Sequence, residues 1–152
     1  MKVTHETPLS EMTLRRYEKP INQNPRELVR KVCLSVGLLQ PGDSRDIIVD
    51  IFLVLLRHKK GLTSKEVEEE VIAFRQENKL PLKGIASSNI RRQLKRLRDV
   101  FMIEKKGTYY VVKTGESMDE IFTEKILKYY LDSITTRIRE YFKTVEEQVR
   151  QK

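Results

Sequence analysis

Lys83–Val112 reads KGIASSNIRRQLKRLRDVFMIEKKGTYYVV. Ile90, Leu94, Leu97 and Phe101 recur at i, i+4, i+7 spacing and lie within about 60° of one another on a wheel of 100° per residue. That spacing predicts a helix from Ala86 or Ser87 to about Asp99, with these four residues facing a core. The opposite side collects Ser88, Arg92, Lys95 and Arg96, flanked by Asn89 and Arg91. Phe101–Lys105 and Tyr109–Lys113 then read as two short strands. They meet at Lys106-Gly107, where glycine can take the positive φ of a tight hairpin. Adjacent Tyr109 and Tyr110 are expected on opposite faces of their strand, one in the core and one in solvent.

Charge is concentrated in the same stretch. The 152-residue chain carries a net +8, and residues 85–113 hold eight Lys and Arg against Asp99 and Glu104, a net of +6. A solvated helix face usually mixes signs at i, i+4. This helix has five basic residues and one acid, and it opens on Ser-Ser-Asn. Clustered positive charge on one element is the footprint of a polyanion binder.

The residue types suit a nucleic-acid groove. Arg and Lys donate to guanine O6 and N7, Asn pairs with adenine, and Ser bonds to base or phosphate. The N-terminal part of such a helix points deepest. Ser88, Asn89 and Arg92 are therefore the candidate base contacts, Arg91, Lys95 and Arg96 the candidate phosphate contacts, and Ser87 beside them a further candidate DNA-binding residue. Lys105, Lys106 and Thr108 at the hairpin tip are placed to touch phosphate or the adjacent minor groove.

Upstream, Asn24-Pro25 supplies a helix cap and first turn, and Gly37 a C-terminal stop. Leu28, Val29, Val32, Cys33 and Val36 share one face between them, which makes Cys33 an inert core residue. Asp43 or Ser44 is expected to cap a second helix running to about His58, its apolar run interrupted by Asp50 and its terminal ring meeting the helix C-terminus. Thr63 and Glu66 stand at capping-box spacing and open a third helix to about Asn78. Its carboxylates Glu66, Glu68, Glu69 and Glu70 repel phosphate, so this helix supports rather than reads. Residues 1–23 read as an extended arm with a short helical turn near Glu11–Tyr17. Its Arg15, Arg16, Lys19 and Tyr17 leave two readings, a DNA-touching arm or an unattached terminus.

The helix at 44–58, LTSKEV, IASSNIRRQLKRLRD and VFMIEKKGTYYVV together resemble the winged helix-turn-helix DNA-binding domains of prokaryotic regulators, over residues 44–113. Within that superfamily they look most like archaeal regulator-like proteins. The resemblance implies selective binding of double-stranded DNA by the helix at 86–99, with the hairpin 102–112 as a wing touching the backbone at 105–108. The long acidic third helix and the connector Lys79–Gly84 depart from the compact pattern. The expected fold class is mainly α with a small β-hairpin wing. A helical extension at 1–43 precedes the domain at 44–113, and a long helix at 114–152 follows it.

In that last segment Leu127, Leu131, Ile134, Ile138, Tyr141, Val145 and Gln148 recur at alternating spacings of four and three, a heptad seam. A narrow apolar stripe needs a partner. The same helix of a second subunit is the commonest answer, and folding back on its own core is the other. A homodimer would present two recognition helices to a palindromic site.

Hydrophobic residues at 39% and charged residues at 34% exclude a disordered or membrane-spanning chain. The apolar run Ile47–Leu56 is about half the roughly twenty residues a bilayer needs. No secretory signal pattern is visible and Cys33 is the single cysteine, so the protein is expected in the cytoplasm. Abundant Lys, Arg and Glu with no Trp suit an archaeal source. His5 and His58 are the only histidines, and neither metal-ligand spacing nor a phosphate-binding glycine loop occurs. No catalytic residue, metal or cofactor is expected. A transcriptional regulator is the leading expectation, and a winged-helix scaffold in a larger assembly is the alternative from another class.

Overall fold

A computed structural model of the chain describes residues 11, 12, 15–113 and 115–150. The protein is mainly helical, with a small three-stranded antiparallel sheet. The chain divides after Lys113 into two compact units. Among the described residues no helix is long and apolar enough to cross a membrane. Most of the expected arm lies outside the described residues, and Arg15–Lys19 have no regular structure. Glu18 nevertheless pairs with Lys31 at 2.7 Å, and that hydrogen bond and charge hold its carboxyl below the usual range.

The first unit is built around α2 (Ile47–Arg57), in which every residue from Ile47 to Leu55 is buried. A helix apolar all round must be enclosed by its neighbours. α1 (Pro25–Ser35), α3 (Ser64–Glu77) and α4 (Ser87–Asp99) all pack against it. α1 starts where its sequence signals place it, with Asn24 Oδ1 accepting from the Glu27 amide at 2.8 Å. α3 likewise carries the full Thr63–Glu66 capping box. α2 differs from expectation. It begins at Ile47 behind Asp46, without a side-chain cap, while Asp43 accepts from the Arg45 amide. The Asp46 carboxylate is held instead by Arg26 and Arg75.

Three helices end in one way. Past α1, the Gly37 amide returns to the Leu34 carbonyl and the Leu38 amide to Cys33, with Gly37 at φ +78°. This is the left-handed stop that favours glycine. α3 and α4 close with the same pair of bonds, but Lys79 (φ +54°) and Phe101 (φ +64°) occupy the left-handed position. Phe101 is therefore not the fourth core residue of α4 nor the start of a strand. It is the half-buried pivot after the helix, and the chain beyond it drops Met102 and Ile103 into the core.

Lys79 is exposed, so its backbone strain has no compensating packing. Lys79→Gly is expected to raise the unfolding free energy by about 0.5–1 kcal/mol. That is what remains of the ~1–2 kcal/mol left-handed penalty after the extra chain entropy of glycine. A higher urea midpoint at unchanged m-value checks it.

The hairpin pairs β2 (Glu104–Lys106) with β3 (Tyr109–Val111), shorter strands than the sequence suggests. The turn is Gly107-Thr108, one residue later than expected. Gly107 at φ +62° supplies the mirrored geometry that a two-residue loop requires. β3 also pairs on its other side with β1 (Leu62–Thr63), giving the sheet order β1-β3-β2. Tyr110 is buried and Tyr109 exposed, as strand alternation requires. Gly61, just before β1, lies so close to β3 that a Cβ would sit 2.7 Å from the Tyr110 carbonyl oxygen.

The second unit is helical. Ser117 and Glu120 form a capping box that starts α5 (Met118–Ile121). A π-wound stretch, Phe122–Leu131, follows, then α6 (Asp132–Val145) and a second π-wound stretch, Glu146–Arg150. The wider winding shows in the Asp132 amide, which bonds to the Leu127 carbonyl five residues back. The expected continuous α-helix is thus interrupted. A seam at 3.5-residue spacing runs straight through Ile134, Ile138, Tyr141 and Val145 of α6, whereas Leu127 and Leu131 sit in the wider stretch, where each residue turns less about the axis.

Candidate nucleic-acid interface

α4 shows three longitudinal stripes. Ile90, Leu94 and Leu97 are buried. One residue further round, Arg91, Lys95 and Arg98 repeat the same i, i+4, i+7 spacing on the exposed side, with Ser88 and Arg92 beside them. Arg91, Arg92, Arg98 and Ser88 have no hydrogen-bond or ion-pair partner among the described residues. Lys95 reaches Asp99 at 2.9 Å with both side chains more than half exposed, a pair that contributes little and opens easily.

The third stripe is half-buried and internally bonded. Asn89 Nδ2 donates to the Gly84 carbonyl at 2.8 Å, and Gln93 Nε2 donates to Asn89 Oδ1 at 3.1 Å. Arg96 Nη1 donates to Gln93 Oε1 at 2.8 Å, and its Nη2 to the Leu38 carbonyl at 2.9 Å. A rail of hydrogen bonds thus runs along one flank of α4, tied at both ends to backbone. Ser87, in the first turn, donates to Glu68 of α3 at 2.8 Å. Of the residues singled out from the sequence, the fold therefore leaves Ser88, Arg91, Arg92 and Lys95 outward. It engages Ser87, Asn89 and Arg96 within the protein.

Arg98 is an outward cation absent from the basic face expected of the sequence. Its signal was present, since it completes the row begun by Arg91 and Lys95. On the hairpin, Lys105, Lys106 and Thr108 are all exposed. Lys105 Nζ stands 5.5 Å from the Tyr110 ring centroid, a cation–π distance that steadies the side chain without neutralising it.

Behind α4 lies a network with no counterpart in the sequence reading. Asp50 is fully buried on α2, and Arg75 of α3 is 3% exposed. Arg75 Nη1 bonds to Asp50 Oδ2, and Arg26 of α1 bonds to Asp50 at 2.8 Å and Asp46 at 2.8 Å. Arg75 Nε donates in the other direction, to the Pro81 carbonyl at 2.7 Å. Burial opposes ionisation of Asp46, but the Arg26 hydrogen bond and the charges of Arg26 and Arg75 outweigh it and hold the carboxyl below its ordinary value.

A carboxylate depressed in the folded state adds stability above its unfolded pKa of about 3.9, and that stability is lost as pH falls through the lower folded value. Asp46→Asn should therefore flatten the fall of melting temperature between about pH 5 and pH 2. Thermal scans at stepped pH check this, and an unchanged slope would exclude Asp46 as a contributor.

Cys33 is fully buried. Burial pushes its thiol up to about 12, against the opposing pull of the Arg96 charge. It is a packing residue. His58 Nδ1 lies 2.8 Å from the Val54 carbonyl in the last turn of α2, the helix-end contact expected of it. Among the described residues no three His, Cys, Asp or Glu side chains gather as a metal-binding group.

In the second unit the expected dimerisation residues Leu127, Ile134, Ile138, Tyr141 and Val145 are all exposed, and Leu131 is half-buried. Phe142 and Val149 widen the exposed apolar surface beyond the heptad seam. Compared with protein-family models, curated proteins and solved structures, the chain matches none of them.

Proposed function

We propose that the protein binds double-stranded DNA as a winged helix-turn-helix regulator, with α4 in the major groove and the β2–β3 hairpin against the backbone. The observation that carries this reading is the exposed row Arg91, Arg92, Lys95 and Arg98, three of whose guanidinium groups have no partner among the described residues. Outward basic side chains on a helix backed by a core, with the one acid in reach, Asp99, held only in an exposed pair with Lys95, are what phosphate and guanine recognition require. The element order also supports it. Helix, short strand, helix, helix and hairpin, with the sheet order β1-β3-β2, is an order that a winged-helix domain would require.

The role is binding rather than catalysis, and its place is the cytoplasm, where chromosomal DNA lies in a prokaryotic cell. The exposed apolar residues of α6 support self-association, which would pair two copies of α4 across a palindromic site.

The test is a titration with random duplex of about 30 base pairs at two salt concentrations, followed by selection of preferred sites from a random pool. Binding that weakens steeply with salt, with enrichment of a palindrome, is the expected result. Absence of binding at low salt would overturn the reading and favour a scaffold that uses the exposed α6 surface to hold a protein partner.

A further inference from the structure

We propose that Arg75 is a positioning residue for α4, transmitting the rigidity of the buried α2 carboxylate through the α3–α4 connector to the start of the reading helix. The consequence for DNA rests on the function proposed above, while the clamp itself stands on geometry alone.

α4 does not define its own beginning. Its cap residue Ala86 offers no side-chain hydrogen bond, and no acid stands in its first turn. Apart from the exposed Ser87–Glu68 bond to α3, where α4 starts therefore depends on the chain that leads into it. In that connector the Lys79 and Leu80 amides return to α3. Beyond them, among the described residues, two side chains bond to connector carbonyls: Arg75 to Pro81 at 2.7 Å and Asn89 to Gly84 at 2.8 Å. Asn89 belongs to α4 and moves with it. Arg75 belongs to the core, so it is the anchor that ties the connector to something fixed.

The chemistry needs arginine. Its Nε points to Pro81 while Nη1 is held by Asp50, which is fully buried, and Nη1 and Nη2 also face Asp46 at 3.4 Å. A planar fork can donate in both directions at once from one rigid group. A lysine ammonium satisfies the Asp50 charge but cannot also span to the connector in that geometry. The buried aspartate thus orients the guanidinium, the guanidinium holds the Pro81 carbonyl, and the connector delivers Ser87 and Ser88 at a set angle.

Arg75→Lys separates anchoring from charge balance. Amide hydrogen exchange at Leu80 and Ile90, whose amides bond to the Arg75 and Ala86 carbonyls on either side of the connector, is expected to accelerate about tenfold relative to α2 on loss of the Arg75–Pro81 bond. The preference for a site selected by the wild-type protein over random duplex should fall by a similar factor. A purely structural role would lower the melting temperature and raise exchange throughout the unit while leaving that preference intact, and this result would overturn the proposal. So would wild-type exchange at these two amides. If Arg75→Lys does not fold, Asp50→Leu/Arg75→Met removes both buried charges together and carries the same two measurements with the same expected outcome. Failure of the DNA-binding reading would show separately, as a wild-type protein that binds no duplex, and the exchange measurement then decides the clamp alone.

Discussion

Asp50→Leu is expected to lower the unfolding free energy by about 3–5 kcal/mol, the usual cost of removing one partner of a buried ion pair. The size follows from where the partners sit. Arg75 is 3% exposed, so without Asp50 its guanidinium keeps, among the described residues, the longer bonds to Asp46 and the single bond to Pro81. Arg26 loses its 2.8 Å bond to the same carboxylate. The penalty is that of an uncompensated buried charge, not the worth of the pair. Adding Arg75→Met should therefore recover most of the loss, since replacing both partners by apolar groups is close to neutral. Equilibrium unfolding of the two single variants and the double variant measures the coupling. A loss below about 1 kcal/mol for Asp50→Leu would mean that water reaches Arg75 in the folded protein.

Replacing Arg91, Arg92, Lys95 and Arg98 together by Ala should weaken duplex binding at least a hundredfold at low salt, taking about 1–3 kcal/mol for each base-reading arginine. The slope of log K against log salt should also become shallower, by about 0.9 for each phosphate that is no longer neutralised. Stability should hardly change, because all four side chains are exposed and the ion pair they make among the described residues, Lys95 with Asp99, is a surface pair. Arg96→Ala is expected to behave oppositely. It opens the rail to the Leu38 carbonyl and so costs stability first. Fluorescence anisotropy with a labelled duplex, run beside thermal unfolding, distinguishes the two classes. Equal losses of affinity and stability in the quadruple variant would show that these side chains hold the fold.

Local signals in the chain were readable because the interactions behind them are local. Asn24 and Thr63 cap their helices through bonds that span three residues. Gly37 is the residue a left-handed stop favours, and the alternation at Tyr109-Tyr110 needs nothing beyond the geometry of a strand. The basic face of α4 was legible for the same reason, since the side opposite Ile90, Leu94 and Leu97 must be the one that meets solvent. The missed elements have distant partners. β1 is two residues long and exists because Leu62 and Thr63 pair with Tyr110 and Tyr109. No periodicity can appear in so short a strand. Lys79 and Phe101 take the conformation of glycine because the bonds that close α3 and α4 and, after Phe101, the burial of Met102 and Ile103 outweigh a local preference of about 1–2 kcal/mol.

Asp50 shows the division most sharply. In the sequence it is one polar residue interrupting an apolar run. In the fold it is the fully buried centre on which Arg26 and Arg75 converge from two other helices. Helix identities, their apolar faces and the concentration of positive charge between residues 85 and 113 follow from residue type and spacing, because they depend on neighbours one or two turns away. Which of those charges stand free and which are spent on carbonyls, and what anchors the connector before α4, depend on groups brought together from far apart in the chain. Those were settled by packing, since a buried charge or an unpaired carbonyl must find its partner wherever the fold places one.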